Sequence, residues 1–185
     1  MPESLAGKLL VASLRITEPT FFRTVVLMCA HDENGALGVV INRPLKHEPL
    51  AKHLPQFEPL AREPAVVFDG GPVQGTAALA LARWKPVLDI PAPKFVLART
   101  GLLDLSKPVE DHEPHLEEAR VFAGYAGWTG GQLEDELKEE SWFVVEATED
   151  DAFSPNPSGM WRDVLRRQHG KLAMFAYAPN DPGVN

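Results

Sequence analysis

Apolar and polar positions along this chain fall into short blocks, most with the length of strands. Gly7–Ser13 and Thr24–Ala30 are near-continuous apolar runs, the second rich in β-branched residues, as expected of strands covered on both faces. Thr24–Ala30 and Ala36–Asn42 flank His31–Gly35, whose Asn34-Gly35 pair predicts a hairpin. Ala65–Phe68 predicts a short buried strand ending at the sharp turn Asp69-Gly70-Gly71-Pro72. Val73–Arg83 reads as a strand, though its alanines also permit a helix. Phe95–Ala98, Leu102–Leu105, Val121–Ala126, Ser141–Glu146 and Lys171–Ala178 complete the predicted strands. Ile16–Arg23, Leu45–Pro64 and Lys85–Pro93 read as loops, the second with room for a short helix at Leu50–Leu54.

Two helices are predicted late in the chain, at Thr129–Glu139 and Ser158–His169, with a helical turn at Thr148–Phe153 between them. Thr129 and Gln132 have the spacing of a capping box, and Leu133 and Leu137 form an i,i+4 apolar stripe. Ser158 is placed to cap the last helix, in which Trp161, Val164 and Leu165 share one face. Arg162, Arg166, Arg167 and Lys171 form the basic cluster of the chain, and cations suit the C-terminal end of a helix dipole. Hairpin-linked strands with few helices predict an α+β fold built on a mixed, largely antiparallel sheet. Residues 1–185 read as one domain.

With 44% hydrophobic residues the chain can bury a sizeable core. Its formal net charge of −8 counts against direct nucleic-acid binding and against an anionic membrane surface. A single cysteine, Cys29, excludes an internal disulfide and a cysteine-based zinc site. Met1–Leu10 lacks the apolar core of a signal peptide, and no apolar run approaches membrane-spanning length. A cytoplasmic setting is expected.

Several residues could carry chemistry. The turn around Gly70 and Gly71 could offer backbone N–H groups to an anion, but it lacks the lysine and Ser/Thr of a phosphate loop. Its plainer role is to turn the chain. Asn42 and Arg43 end a predicted buried strand, and Arg23 follows two phenylalanines; a guanidinium there could hold a carboxylate or phosphate, or serve a structural pair. Cys29 and His31 lie two apart, so a regular strand would put them on one face, yet the apolar run favours a buried, inert thiol. His112-Glu-Pro-His115 offers metal-capable groups, but Pro114 breaks the helical spacing and the acidic stretch Asp104–Glu118 reads as a solvated excursion. Trp128 and Gln132 sit in a glycine-rich turn that either packs the core or, if Trp128 and Tyr125 are exposed, presents an interaction patch. No catalytic set, metal site or cofactor site emerges.

Taken in order, Gly7-Lys-Leu-Leu-Val-Ala, Phe21–Val26, Gly35–Pro44, Gly70-Gly-Pro-Val73, Gly124–Leu137 with Trp142, Trp161 and the ending Asp181–Asn185 give the chain its character. In these motifs and their spacing it resembles the YqgE/AlgH family of small bacterial proteins. The resemblance implies a bifurcated sheet bent into a pseudo-barrel. It implies no established activity, catalytic residue or cofactor, although some members carry a transcriptional-regulator label. A non-catalytic binding or regulatory protein acting through an unknown protein partner is therefore expected. The alternative is a small-ligand binder or enzyme using Arg23, Asn42, Arg43, Gly70 and Gly71.

Overall fold

The computed structural model describes residues 3–180, so the family-like ending at 181–185 lies outside the described residues. Strands β1 (Lys8–Ala12), β2 (Val25–Asp32) and β3 (Gly35–Val40) pair antiparallel in sequence order, and β9 (Trp142–Glu146) adds outside β1. Successive residues of β1 and β2 enter opposite cores. Leu9, Val11, Val25 and Leu27 fill one, and Leu10, Ala12, Val26 and Met28 the other, all at 0% exposure. Burial on both faces explains why these segments read as continuous apolar runs. At the hairpin Asp32 pairs with Gly35, so Glu33 and Asn34 form the tip, and the Asp32 carboxylate accepts the Asn34 N–H at 2.8 Å.

The sheet divides at β8 (Leu116–Thr129). Its first part runs antiparallel to β6 (Val73–Trp84), while Ala126–Thr129 pairs antiparallel with β3. Within the part paired with β6, Phe122 and Ala123 also pair in parallel with β5 (Val66–Asp69). The branch requires two backbones to cross in contact. Gly124 has φ +74°, and a Cβ there would lie 2.3 Å from the Gly71 carbonyl oxygen; one on Gly70 would lie 2.3 Å from the Gly124 oxygen. Only glycine satisfies both demands. Strand β4 (Pro44–Pro49) flanks β5 and β7 (Thr100–Leu103) flanks β6, while β9 ends the opposite side, giving a mixed, mostly antiparallel and open sheet.

Short helices cover it. Leu133 of α2 (Gln132–Lys138) joins the Leu10–Val26 core, and Trp161, Val164 and Leu165 of α3 (Met160–Arg166) join the Leu9–Val25 core. Leu50 of α1 (Leu50–His53), with Phe57 and Leu60, closes a third core against Val67 and Val121. Each such side chain, fully buried, contributes roughly 1.5–3 kcal/mol. The α+β architecture agrees with expectation.

Local differences have physical causes. Lys171–Ala178 is not a strand; residues Lys171–Phe175 form helix α4. A short apolar run does not by itself separate strand from helix, and here Phe175 stacks on Phe143 of β9 with ring centroids 5.2 Å apart. Phe95–Ala98 is a tight turn: Ala98 has φ 49° and the Thr100 N–H donates to the Leu97 carbonyl at 2.8 Å. Conversely, Pro44–Pro49 is a strand, its prolines tolerated because it pairs on one side only. Thr129 remains in β8, and Gly131 (φ 81°) precedes α2 in the capping position. Ser158 lies in a 3-10 turn, Pro157–Gly159, ahead of α3, which has no side-chain cap.

Candidate functional site

The strand-to-helix passage from β8 into α2 is held by Glu136. Its Oε2 accepts the indole N–H groups of Trp128 at 2.9 Å and Trp142 at 2.8 Å, and its Oε1 accepts from the Gln132 amide at 3.0 Å. Gln132 Oε1 in turn accepts the Thr129 backbone N–H at 3.1 Å, a contact that ties the strand end to the first residue of α2 and not a capping box, since Gly131 holds the capping position. Trp128 is 7% exposed and meets Trp142 edge to face. Sequence reasoning missed Glu136; its position four residues after Gln132, on the same helical face, was the available signal.

The other face of β8 is open. Tyr125, Gly127 and Thr129 alternate with the buried Ala126 and Trp128, and with Leu37, Val73 and Gln132 they line a cleft of about 550 Å³. Gly127 enlarges it, since a Cβ there would meet nothing closer than the Tyr125 ring at 3.6 Å. At its edge the Leu5 N–H donates to His31 Nδ1 at 3.1 Å, which leaves Nε2 to donate to Glu134 at 2.7 Å. That hydrogen bond holds the Glu134 carboxyl below its ordinary range.

A β-bulge between Met28 and Ala30 changes the relation of Cys29 to His31. Cys29 packs into the Leu27–Ile41 core, whereas His31 faces α2, so the two lie on opposite sides. Burial pushes the Cys29 thiol up to about 12, the reverse of what a nucleophile needs.

The arginine candidates bond to backbone. Arg43 donates to the carbonyls of Pro19 at 2.7 Å and Phe22 at 3.0 Å, and also to Thr20. Arg23 (φ 58°) lies 3.9 Å from the centroid of the Trp161 ring and donates to Pro179. Burial and the nearby Arg162 charge lower its pKa; burial likewise lowers that of Arg43, against a raising influence from Asp69. Asn42 accepts the Val25 N–H and donates to the Arg23 carbonyl, both at 2.9 Å. At the neighbouring turn the Gly70 N–H donates to Ala123 and the Gly71 N–H to Asp69. Arg43 and Gly71 share a cavity of about 350 Å³ with Asp69 and Pro72, which neither Arg23 nor Asn42 lines.

A further cavity of about 480 Å³, between β4, α1 and β6, is walled by Leu45, Leu54, Val67 and Ala78. It was not legible because β4 reads as loop. His115 Nδ1 lies 3.3 Å from Asp89, and among the described residues no three His, Cys, Asp or Glu side chains gather as metal ligands. Among them, too, no helix is long and apolar enough to cross a membrane.

A family model described as AlgH-like matches residues 9–173. The chain belongs to this family. A UPF0301 protein of Streptomyces coelicolor is 47% identical, over 98% of this chain and 96% of its own length, and one of Streptomyces avermitilis matches equally well. Among solved structures, a Corynebacterium diphtheriae protein superposes with a TM-score of 0.85 at 26% identity, over 93% of this chain and 91% of its own. The AlgH protein of Pseudomonas aeruginosa gives 0.69 at 27% identity, over 98% and 97%. The glycine-rich end of β8 thus divides between two faces of one strand, Trp128 within the core and Tyr125, Gly127 and Thr129 on the cleft.

Proposed function

We propose that this protein is a non-catalytic, regulatory binding protein of the bacterial cytoplasm, acting through protein contacts at the cleft beside β8. The observation that carries this reading is the outward strip Tyr125, Gly127 and Thr129, which lines an open cleft while its inward neighbours are committed to packing. Tyr125, Leu37 and Val73 are half-buried, and partly exposed aromatic and apolar surface with a polar rim is the composition of protein-recognition sites. The buried, protonated Cys29 supports a non-catalytic role, and a lone cysteine suits a reducing compartment. Any role in transcription would run through a partner, since a net charge of −8 opposes approach to DNA.

Gly127→Arg tests the proposal, because the site has room for a Cβ and the longer side chain would fill the cleft. Wild-type and G127R proteins, matched by circular dichroism, serve as baits in lysate of the encoding bacterium. A partner captured reproducibly by wild type and lost with G127R is the expected result. Identical capture by both baits, or no repeatable partner, would overturn it.

A further inference from the structure

Helices α3 and α4 carry a surface that differs in sign from the molecule as a whole. Between Met160 and Asn180 the chain has four basic side chains, Arg162, Arg166, Arg167 and Lys171, against one acid, Asp163, in a protein of net charge −8. Some of this charge is used internally. Arg167 grips Asp151 with both Nη atoms at 2.7 and 2.6 Å, Arg166 lies 3.3 Å from Asp163, and Arg162 donates to the Ala176 and Ala178 carbonyls. Lys171 makes no ion pair among the described residues, and Arg166 remains exposed.

The same surface is apolar where the rest of the helix pair is satisfied. Leu172 and Phe175 turn inward, but Lys171, Met174 and Tyr177 follow at intervals of three and face out. Met174 is 71% and Tyr177 76% exposed, and the Arg166 guanidinium sits 6.0 Å from the Tyr177 ring. Next to them a groove of about 420 Å³ runs between the turn after β1, β9 and α4, lined by Leu14, Phe143 and Phe175, by Lys171, and by Arg15 paired with Glu140 at 2.7 Å. Two long apolar side chains in water beside an unfilled apolar groove make a recognition surface in miniature.

We propose that this surface docks an acidic segment of another protein, with an apolar anchor in the groove and carboxylates against Lys171 and Arg166. Charge selects the occupant. An acidic chain is repelled by most of this molecule and attracted only where basic side chains outnumber acids, so the field both steers it and fixes where it lands. The groove takes the anchor, and the exposed Met174 thioether adapts to its shape. This surface is separate from the cleft beside β8.

Fluorescence anisotropy with synthetic peptides tests the assignment. One short labelled peptide carries Asp and Glu around a central Leu-Phe pair; a second has Asn and Gln in place of the acids, and a third has Lys. The acidic peptide should bind the whole protein, weaken with added salt, and lose about tenfold in affinity to M174S/Y177S and again to R166E/K171E. The charge-reversed variant should gain affinity for the Lys peptide, and G127R should leave the acidic peptide unaffected. Equal binding of acidic and neutral peptides, or none at all, would overturn the proposal. So would preferential binding of duplex DNA or phosphatidylserine vesicles, or concentration-dependent self-association abolished by the same variants. All four substituted side chains are solvent-exposed, so circular dichroism should show an unchanged fold.

Discussion

Trp128 and Trp142 give their indole protons to the same oxygen of Glu136, and their rings meet edge to face with centroids 6.0 Å apart. One strand end, one helix and the edge strand β9 thereby converge on a single carboxylate. An acceptor shared by two indole donors is satisfied only if the helix sits at one height over the sheet. The function of the tryptophans is positional: they fix where α2 leaves β8, and so where the cleft has its wall.

Glu136→Ala should therefore destabilise the protein more than an ordinary surface substitution on α2. Two largely buried indole N–H groups lose their acceptor, and an unsatisfied buried donor costs about 1–3 kcal/mol. Glu136→Gln keeps an acceptor and should cost less. Urea denaturation followed by tryptophan fluorescence would check the order; equal stability of E136A and wild type would refute the shared anchor.

The glycines of β8 should separate into two classes. Gly124→Ala places a Cβ 2.3 Å from the Gly71 oxygen at φ +74°, so neither neighbour can yield. A loss of about 3 kcal/mol or more, or failure to fold, is expected. Gly127→Ala meets only ordinary contacts at 3.6 and 3.7 Å and should change stability by less than about 1 kcal/mol. Thermal melts of both variants would decide; similar losses would mean that the crossing at Gly71 is not what constrains Gly124.

Arg120 supplies a third case. It is 2% exposed, stacks over the Phe68 ring, and donates to the carbonyls of Glu63 at 2.9 Å, Ser154 at 3.0 Å and Ala152 at 3.1 Å. Burial pulls its pKa down to about 10. The planar fork reaches both loops at once, which a lysine cannot do. Arg120→Lys should then cost about 1–3 kcal/mol, and Arg120→Ala more, because the carbonyls are left bare and a void opens. Chemical denaturation measures both, and a lysine variant as stable as wild type would show that one loop contact suffices.

How much of this could be read from residues alone depended on whether the cause was local. The β2–β3 hairpin was legible because its turn residues and flanking apolar runs lie side by side in sequence. The branch at Gly71 and Gly124 was marked by glycines, but what they touch lies some fifty positions away. Cys29 and His31 were placed on one face by a strand's period of two, and one bulge reversed that. Arg23, Asn42 and Arg43 drew attention as charged and polar residues at strand ends; their partners are carbonyls, which no sequence displays. Glu136 shows only its spacing from Gln132 in sequence, not its two indole partners, and the outward stripe of α4 is hidden because Lys171–Ala178 reads as a strand.

Cys29 gives a test that joins packing to pH. Its thiol ionises near 9.0 when unperturbed and at about 12 in the folded protein, where burial opposes the charged form. Alkylation by iodoacetamide at pH 8 should therefore be negligible in the native state and rapid in urea, with the labelled fraction tracking unfolding. The sign of the stability effect follows from proton counting. Between pH 9.0 and about 12 the unfolded chain has released a proton that the native chain retains, so stability falls as pH rises through that window. Cys29→Ala removes the titrating group and should flatten this part of the decline while costing a little stability at neutral pH. Labelling of the native protein at the rate of a free thiol would show that the Leu27–Ile41 core does not enclose the sulfur.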